Sequence, residues 1–186
     1  MARAPAPSLA SGSRRALLLL LAALPLGACG FHPLYARASG GQAGAAAEGL
    51  AQTSVDLIAE RPGQLLRQAL QERFERNGLA VAHLYDLTVT FSISSDAIGI
   101  QQDTSNTRVR MVATANYQLR GQDAARTVLL GGSARTVDGF NVFDQQLFAA
   151  DLESEAVQKR MAEAVADEIA RQLAVYFDKQ AALAAR

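Results

Sequence analysis

Four segments of the chain alternate apolar and polar residues with a period of two, which is the pattern of strands that bury one face. They are residues 53–59, 84–94, 108–120 and 127–137. The third segment is the most regular, because six apolar side chains share one face: Val109, Met111, Ala113, Ala115, Tyr117 and Leu119. Together the segments predict a four-stranded sheet with one face in the core.

Two other segments repeat apolar residues at steps of three and four, which predicts helices. One helix is predicted over residues 64–77, after the break at Arg61-Pro62-Gly63, and Gly78 can end it in a left-handed conformation. The second is predicted over residues 151–179, with Asp151 as its N-cap. Its expected buried stripe contains one polar residue and consists of Ala156, Val157, Met161, Ala164, Val165, Glu168, Ile169, Leu173, Tyr176 and Phe177.

Polar and small residues mark the connections between these elements. Residues 95–106 predict a turn or an extended edge, residues 121–125 a hairpin loop, and Asp138-Gly139 a turn. The pair Gly131-Gly132 weakens the fourth strand and indicates a bulge. The order β-α-β-β-β-α predicts an α+β fold, a two-layer sandwich in which two helices pack on one face of a four-stranded sheet. The other sheet face is expected to be free.

The N-terminus has the pattern of an export signal. Arg14 and Arg15 precede an apolar run over residues 16–24, which is too short to span a bilayer as a helix. The run ends in Leu26-Gly27-Ala28-Cys29, which resembles the lipobox of bacterial lipoproteins, whose signal is cut before a lipid-bearing cysteine. We therefore predict a signal peptide over residues 1–28. An ordinary signal peptide with a free cysteine is the alternative.

The lipobox resemblance implies that Cys29 carries a diacylglycerol and an N-acyl chain, which together anchor a protein stably. In that family, a residue other than aspartate after the cysteine, here Gly30, usually means export to the outer membrane. Residues 29–52 are predicted to be the lipid anchor and a flexible tether, because they are rich in Ala, Gly, Ser and Gln. A single domain is expected over residues 53–180, with a frayed tail over 181–186.

The charge of the chain argues against nucleic-acid binding. Without residues 1–28, which carry three arginines and no acid, 15 basic residues face 18 acidic ones. A nucleic-acid-binding domain needs a basic surface. The charge is uneven, however, since residues 105–136 hold five arginines and one acid, and residues 137–178 hold nine acids and three bases. One part of the domain is therefore expected to attract anions.

Candidate catalytic and metal-binding residues are few. The two histidines, His32 and His83, have no metal-binding partners in the sequence, so we predict no metal site. Residues 131–135 resemble half of a nucleophile elbow around Ser133, but Arg135 replaces the closing glycine and no histidine follows. We therefore predict that the protein is not an enzyme.

Three arginines are the candidate binding residues. Arg108 and Arg110 share a strand face, about 6.5–7 Å apart at two residues of strand rise. A hairpin centred near Asp123 places Arg135 opposite Arg110. Guanidinium groups bind phosphate and carboxylate through two hydrogen bonds, so the three could hold an anionic lipid head group. The alternative is that they only keep an exposed sheet face soluble.

The chain as a whole resembles the lipopolysaccharide-assembly lipoprotein family, LptE (RlpB-like). The resemblance is carried, in order along the chain, by CGFHPLY (29–35), LLRQALQERFERNGLAV (65–81), RVRMVATANYQL (108–119), GGSAR (131–135), FNVFDQQLF (140–148) and the last amphipathic helix. It implies two helices on a four-stranded sheet.

This resemblance also implies partners and a place in the cell. Family members plug and help assemble the outer-membrane β-barrel LptD, facing the periplasm, and bind lipopolysaccharide through basic residues near the sheet. Arg135 matches such a position best, and Arg108 and Arg110 match by neighbourhood. The resemblance implies no cofactor beyond the lipid on Cys29. The alternative function is an accessory lipoprotein of a periplasmic phospholipid-transport complex, or an envelope scaffold.

Overall fold

The computed structural model describes residues 44–76, 78, 81–100, 106–142 and 147–186. The predicted signal peptide and Cys29 lie outside these residues. The described part contains three helices and four strands, in the order α1 (Ala45–Ala51), β1 (Thr53–Val55), α2 (Glu60–Phe74), β2 (Tyr85–Ile100), β3 (Asn106–Gly121), β4 (Val128–Asn141) and α3 (Leu147–Ala184).

The four strands form one mixed sheet in the order β1-β2-β3-β4. The short strand β1 runs parallel to β2, and β2, β3 and β4 are antiparallel neighbours. A helical connection between β1 and β2 is what a parallel pair requires. The predicted α+β class, the order β-α-β-β-β-α and the two-layer sandwich are confirmed, with the short helix α1 in addition.

The core lies between the sheet and the helices. Leu87 of β2 and Leu119 of β3 are completely buried, as are Leu66 and Leu70 of α2. The buried side of α3 alternates large residues with alanines, which let the long helix approach the sheet and α2 closely. It consists of Val157, Met161, Ala162, Val165, Ala166, Ile169, Ala170, Leu173, Ala174 and Phe177. The predicted stripe was wrong at Ala156 and Ala164, which are exposed.

The region between β1 and α2 differs from the prediction. β1 ends at Val55 rather than at residue 59. Beyond it the expected alternation fails, since Leu57 is 84% exposed and Ile58 is buried. α2 begins at Glu60 rather than at residue 64, and Pro62 lies in its first turn, where a missing N–H is tolerated. α2 ends at Phe74, with Glu75 as its C-cap, rather than at residue 77, so Gly78 does not end the helix as predicted. The predicted positive φ of Gly78 is confirmed at 61°.

The predicted tether is wrong at its C-terminal end, since Ala45–Ala51 form a helix. Alanine is the best helix former, and here small size also permits close packing. A Cβ at Gly49 would overlap the ring of Phe177 in α3. The predicted frayed tail is wrong up to Ala184, where α3 ends, and Asp151 lies inside α3 rather than at its N-cap.

Strands β2, β3 and β4 extend beyond the predicted limits. β2 continues to Ile100 and β4 to Asn141, so the predicted turn at Asp138-Gly139 is wrong. The bulge falls at Leu129 instead of at the glycine pair, because Leu130 pairs with Leu119 while Val128 pairs with Arg120.

Candidate functional site

The candidate site is the sheet face that the helices leave uncovered, hereafter the open face. Alternation along β2, β3 and β4 directs Leu87, Leu119 and their neighbours into the core and places polar side chains on the opposite side. The open face carries Thr88, Thr90, Ser92, Ser94, Asp96, Arg108, Arg110, Val112, Thr114, Asn116, Gln118, Arg120, Ser133, Arg135 and Val137. Hydroxyl, amide and guanidinium groups therefore dominate it.

The structure places all three predicted arginines on the open face but separates one from the others. Arg110 pairs with Gly139 and Arg135 pairs with Thr114. The predicted juxtaposition of Arg135 and Arg110 is wrong, because Arg135 lies four residues further along the sheet, about 13 Å away at strand rise. The wide hairpin loop and the bulge at Leu129 shift the register. Neither feature is visible in the alternating pattern.

The three arginines also differ in their partners. Arg110 donates a hydrogen bond to Asp96 Oδ2 at 3.2 Å and forms an ion pair with it. Arg108 and Arg135 are exposed and make no ion pair or side-chain hydrogen bond with the residues that the structure describes. Since an unpaired guanidinium keeps its full hydrogen-bonding capacity, Arg108 and Arg135 are the two predicted residues available to an anionic ligand.

A buried carboxylate fixes one end of the open face. Asp86 accepts hydrogen bonds from Gln122 Nε2 at 2.8 Å, Ser54 Oγ at 2.7 Å and Arg126 Nη2 at 2.6 Å. The hydrogen bonds from Gln122 and Ser54, followed by that from Arg126, lower the pKa of Asp86, although burial opposes them. Asp86 thus ties the β3–β4 loop to β1. Sequence patterning missed it, because it occupies a polar position like its exposed neighbours.

The open face is concave near its centre. A depression of about 380 Å³ is lined by Thr88, Thr90, Asn116, Tyr117, Gln118, Gly131 and Gly132. None of these lining residues is charged. At its edge, Thr88 Oγ1 donates a hydrogen bond to Asp56 Oδ2 at 2.7 Å. We call this depression the central concavity.

Beneath the central concavity, a polar network joins the sheet to α3. The Tyr117 hydroxyl donates to Gln172 Oε1, and Gln172 Nε2 donates to Glu168 Oε1 at 2.5 Å. Burial raises the pKa of Tyr117. Gly132 leaves room for this tyrosine, since a Cβ there would lie 2.6 Å from the Tyr117 Oη. The glycine therefore serves packing rather than a bulge.

A second concave surface lies on the helical layer. A groove of about 310 Å³ between α2 and the start of α3 is lined by Arg61, Leu65, Leu152, Glu155, Ala156, Gln158 and Lys159. Phe148 is 89% exposed and Leu152 70% exposed on the same side of α3. This groove combines apolar surface with charges of both signs, unlike the central concavity.

Signs of other chemistry are weak in the part of the chain that the structure describes. No three His, Cys, Asp or Glu residues there are arranged to hold a metal ion. Ser133 lies in the middle of β4 rather than at a sharp turn between a strand and a helix, which a nucleophile elbow requires. None of the described helices combines the length and apolar character needed to cross a bilayer.

The fold and the open face define a two-layer α+β domain with a polar surface suited to binding. The chain belongs to the LptE family, whose model, described as lipopolysaccharide-assembly, matches residues 50–173. The predicted family is confirmed. Membership of this family assigns the chain a general role in lipopolysaccharide assembly.

Solved structures with the same fold have low sequence identity to this chain. A protein from Caulobacter crescentus CB15 is 21% identical with a TM-score of 0.57, over 74% of this chain and 98% of that protein. The minor lipoprotein of Acinetobacter baumannii is 15% identical with a TM-score of 0.52, over 66% and 90%. The rare lipoprotein B of Shewanella oneidensis is 14% identical with a TM-score of 0.50, over 66% and 93%. None of the curated proteins matches the chain.

Proposed function

We propose that this protein is an outer-membrane lipoprotein, anchored by lipid on Cys29, that plugs and helps assemble the β-barrel LptD and binds lipopolysaccharide for delivery to the outer leaflet. The open face carries this proposal, since Arg108 and Arg135 project from it without an ion pair or side-chain hydrogen bond to the described residues, in a chain of the LptE family. No catalytic step is required of the protein. Its work is docking and capture.

The proposed mechanism is capture of phosphate by guanidinium groups. Arg108 and Arg135 would each form charge-assisted hydrogen bonds to phosphates of lipopolysaccharide. Arg110 would join them by exchanging Asp96 for a ligand phosphate, because their ion pair is half exposed and therefore weak. The spacing of Arg110 and Arg135 along the sheet suits a ligand with separate phosphates better than a single small anion.

Copurification from detergent-solubilised outer membrane tests the proposed partners. We expect the tagged full chain to retain a large β-barrel protein in equal amount, together with lipopolysaccharide. A Cys29→Ser variant should fail to fractionate with the outer membrane, because it cannot accept the thioether-linked lipid. Recovery of an inner-membrane ATPase complex in place of the barrel would contradict the proposal and favour a role in phospholipid transport.

A further inference from the structure

Gly131 has no evident structural role in the strand that contains it. A Cβ at Gly131 would meet only the Tyr117 carbonyl oxygen, at 3.8 Å, and the backbone there is not left-handed. Other strand glycines differ, because a Cβ at Gly132 would strike Tyr117 and one at Gly139 would lie 2.5 Å from the Val109 carbonyl oxygen. Glycine within a strand weakens it and often marks a bulge, a tight bend, or close approach of a ligand or another backbone; the bulge of β4 lies at Leu129 instead.

The missing side chain of Gly131 opens the central concavity. Gly131 pairs with Gln118, which pairs with Thr88, and these three residues form one row across the sheet. Ser133, Asn116 and Thr90 form the next row. Any side chain at position 131 would project into the depression between Gln118 and the edge of β4.

The lining of the central concavity determines what it can bind. Threonine hydroxyls and the amides of Asn116 and Gln118 both donate and accept hydrogen bonds. A phosphate can only accept hydrogen bonds unless it is protonated, and Asp56 beside Thr88 would repel it. A ligand bearing several neutral hydroxyl groups, which donate and accept in turn, matches this lining.

We propose that the central concavity is a saccharide subsite that holds a neutral sugar unit of the lipopolysaccharide oligosaccharide. This inference rests on the proposed function and adds a second point of contact to the arginines. Arg135 pairs with Thr114 in the row next to Asn116 and Ser133, so a phosphate at Arg135 and a sugar at Gly131 would lie about 7–13 Å apart along β4. One phosphorylated oligosaccharide can reach both.

Nuclear magnetic resonance titration of the full chain in detergent tests this subsite. The probe is the oligosaccharide released from lipopolysaccharide by mild acid and freed of phosphate. We expect saturable shifts in the side-chain amide signals of Asn116 and Gln118. Gly131→Val places a branched side chain in part of the depression, and valine favours strands, so it should weaken binding by about tenfold, the equivalent of one or two hydrogen bonds.

The matched control is Ser94→Val, which adds the same side chain to the open face opposite Val112, away from the concavity. It should leave the dissociation constant unchanged. Absence of saturable shifts in the unaltered protein would overturn the inference. Equal affinity in Gly131→Val and the unaltered protein would do the same.

Whole lipopolysaccharide separates this inference from the proposed function. If it binds while the phosphate-free oligosaccharide does not, the saccharide subsite is refuted and the proposed function stands. If the oligosaccharide binds while whole lipopolysaccharide does not, the subsite stands and the proposed function fails. If Gly131→Val removes the barrel protein from the copurified complex without affecting oligosaccharide affinity, the concavity belongs to a protein interface and the inference is wrong.

Discussion

Two adjacent glycines in β4 should respond in opposite ways to the same substitution. Gly132→Ala places a methyl group 2.6 Å from the Oη and 2.8 Å from the Cζ of Tyr117, on the side of the sheet that faces α3. Gly131→Ala places a methyl group on the open face, where the nearest atom is 3.8 Å away. Only the first substitution forces a buried side chain to move.

The magnitude follows from the contacts that must change. Overpacking of this kind costs about 1–3 kcal/mol, and displacing Tyr117 also breaks its hydrogen bond to Gln172, worth about 1 kcal/mol. In the opposite direction, alanine in a strand is more stable than glycine by about 0.5–1 kcal/mol. We therefore expect Gly132→Ala to lower the free energy of unfolding by about 1–3 kcal/mol and Gly131→Ala to raise it by about 0.5 kcal/mol.

Urea unfolding followed by far-ultraviolet circular dichroism measures both changes. A third protein, Gly132→Ala with Tyr117→Phe, lacks the oxygen nearest to the new methyl group. Its loss of stability should be smaller than the sum of the two single losses. If the two alanine variants changed the free energy of unfolding equally, the assignment of Gly132 to the packed face and Gly131 to the open face would be refuted.

Two further predictions concern charged contacts in the described domain. Hydrogen-bond donors lower the pKa values of three carboxylates, Asp86, Asp167 and Glu168. These carboxylates therefore stabilise the fold fully above the pKa of the unfolded chain, about 4. Their contribution is lost as the pH falls through the lower pKa values of the folded protein. The free energy of unfolding should decline below about pH 4, and Asp86→Asn should flatten that decline in urea titrations between pH 3 and 6; an unchanged slope would contradict it. Arg73 joins α2 to α3, because it donates hydrogen bonds to Asp167 at 2.5 Å and to the carbonyl oxygen of Glu163 at 3.0 Å. Arg73→Ala should therefore lower the free energy of unfolding by about 2 kcal/mol. Arg76→Ala, at an exposed position of the same helix end, should change it by less than about 0.5 kcal/mol in the same assay. Equal effects of the two substitutions would contradict the bridging role of Arg73.

The sequence predicted the parts of the fold that side-chain burial specifies. The centres of β2, β3 and β4 alternate because one face packs on helices, so their apolar residues mark them. Residues 94–98 are exposed on both faces of β2, and only backbone pairing with β3 keeps them extended. A segment that is exposed on both faces has no alternation of apolar and polar residues from which a strand can be predicted. Ala45–Ala51 were missed for a different reason, since the same small residues suit a flexible tether and a closely packed helix.

The candidate site was predictable in content but not in geometry. Alternation alone placed Arg108 and Arg110 on one face, and the position of Arg135 on the neighbouring strand was also correct. The register between β3 and β4 depends on the loop that follows Gly121 and on the bulge at Leu129, which sequence patterning does not specify. The glycine pair was visible, but which glycine faces outward depends on that same register. The central concavity could therefore emerge only from the structure.

Capture of lipopolysaccharide by the arginines of the open face is the central proposal. The direct measurement is the affinity of the full chain in detergent for lipopolysaccharide, in a variant that combines Arg108→Glu and Arg135→Glu. The matched control combines Lys179→Glu, near the end of α3, and Arg186→Glu, just after it; both positions are exposed, and the change in net charge is the same.

We expect the open-face variant to bind at least about a hundredfold more weakly, because two charge-assisted contacts are lost and each contributes about 1.5–3 kcal/mol. Its circular dichroism spectrum should be unchanged, since neither arginine supports the described fold, and the control should bind like the unaltered protein. Equal lipopolysaccharide affinity in the open-face variant and the control would contradict the central claim.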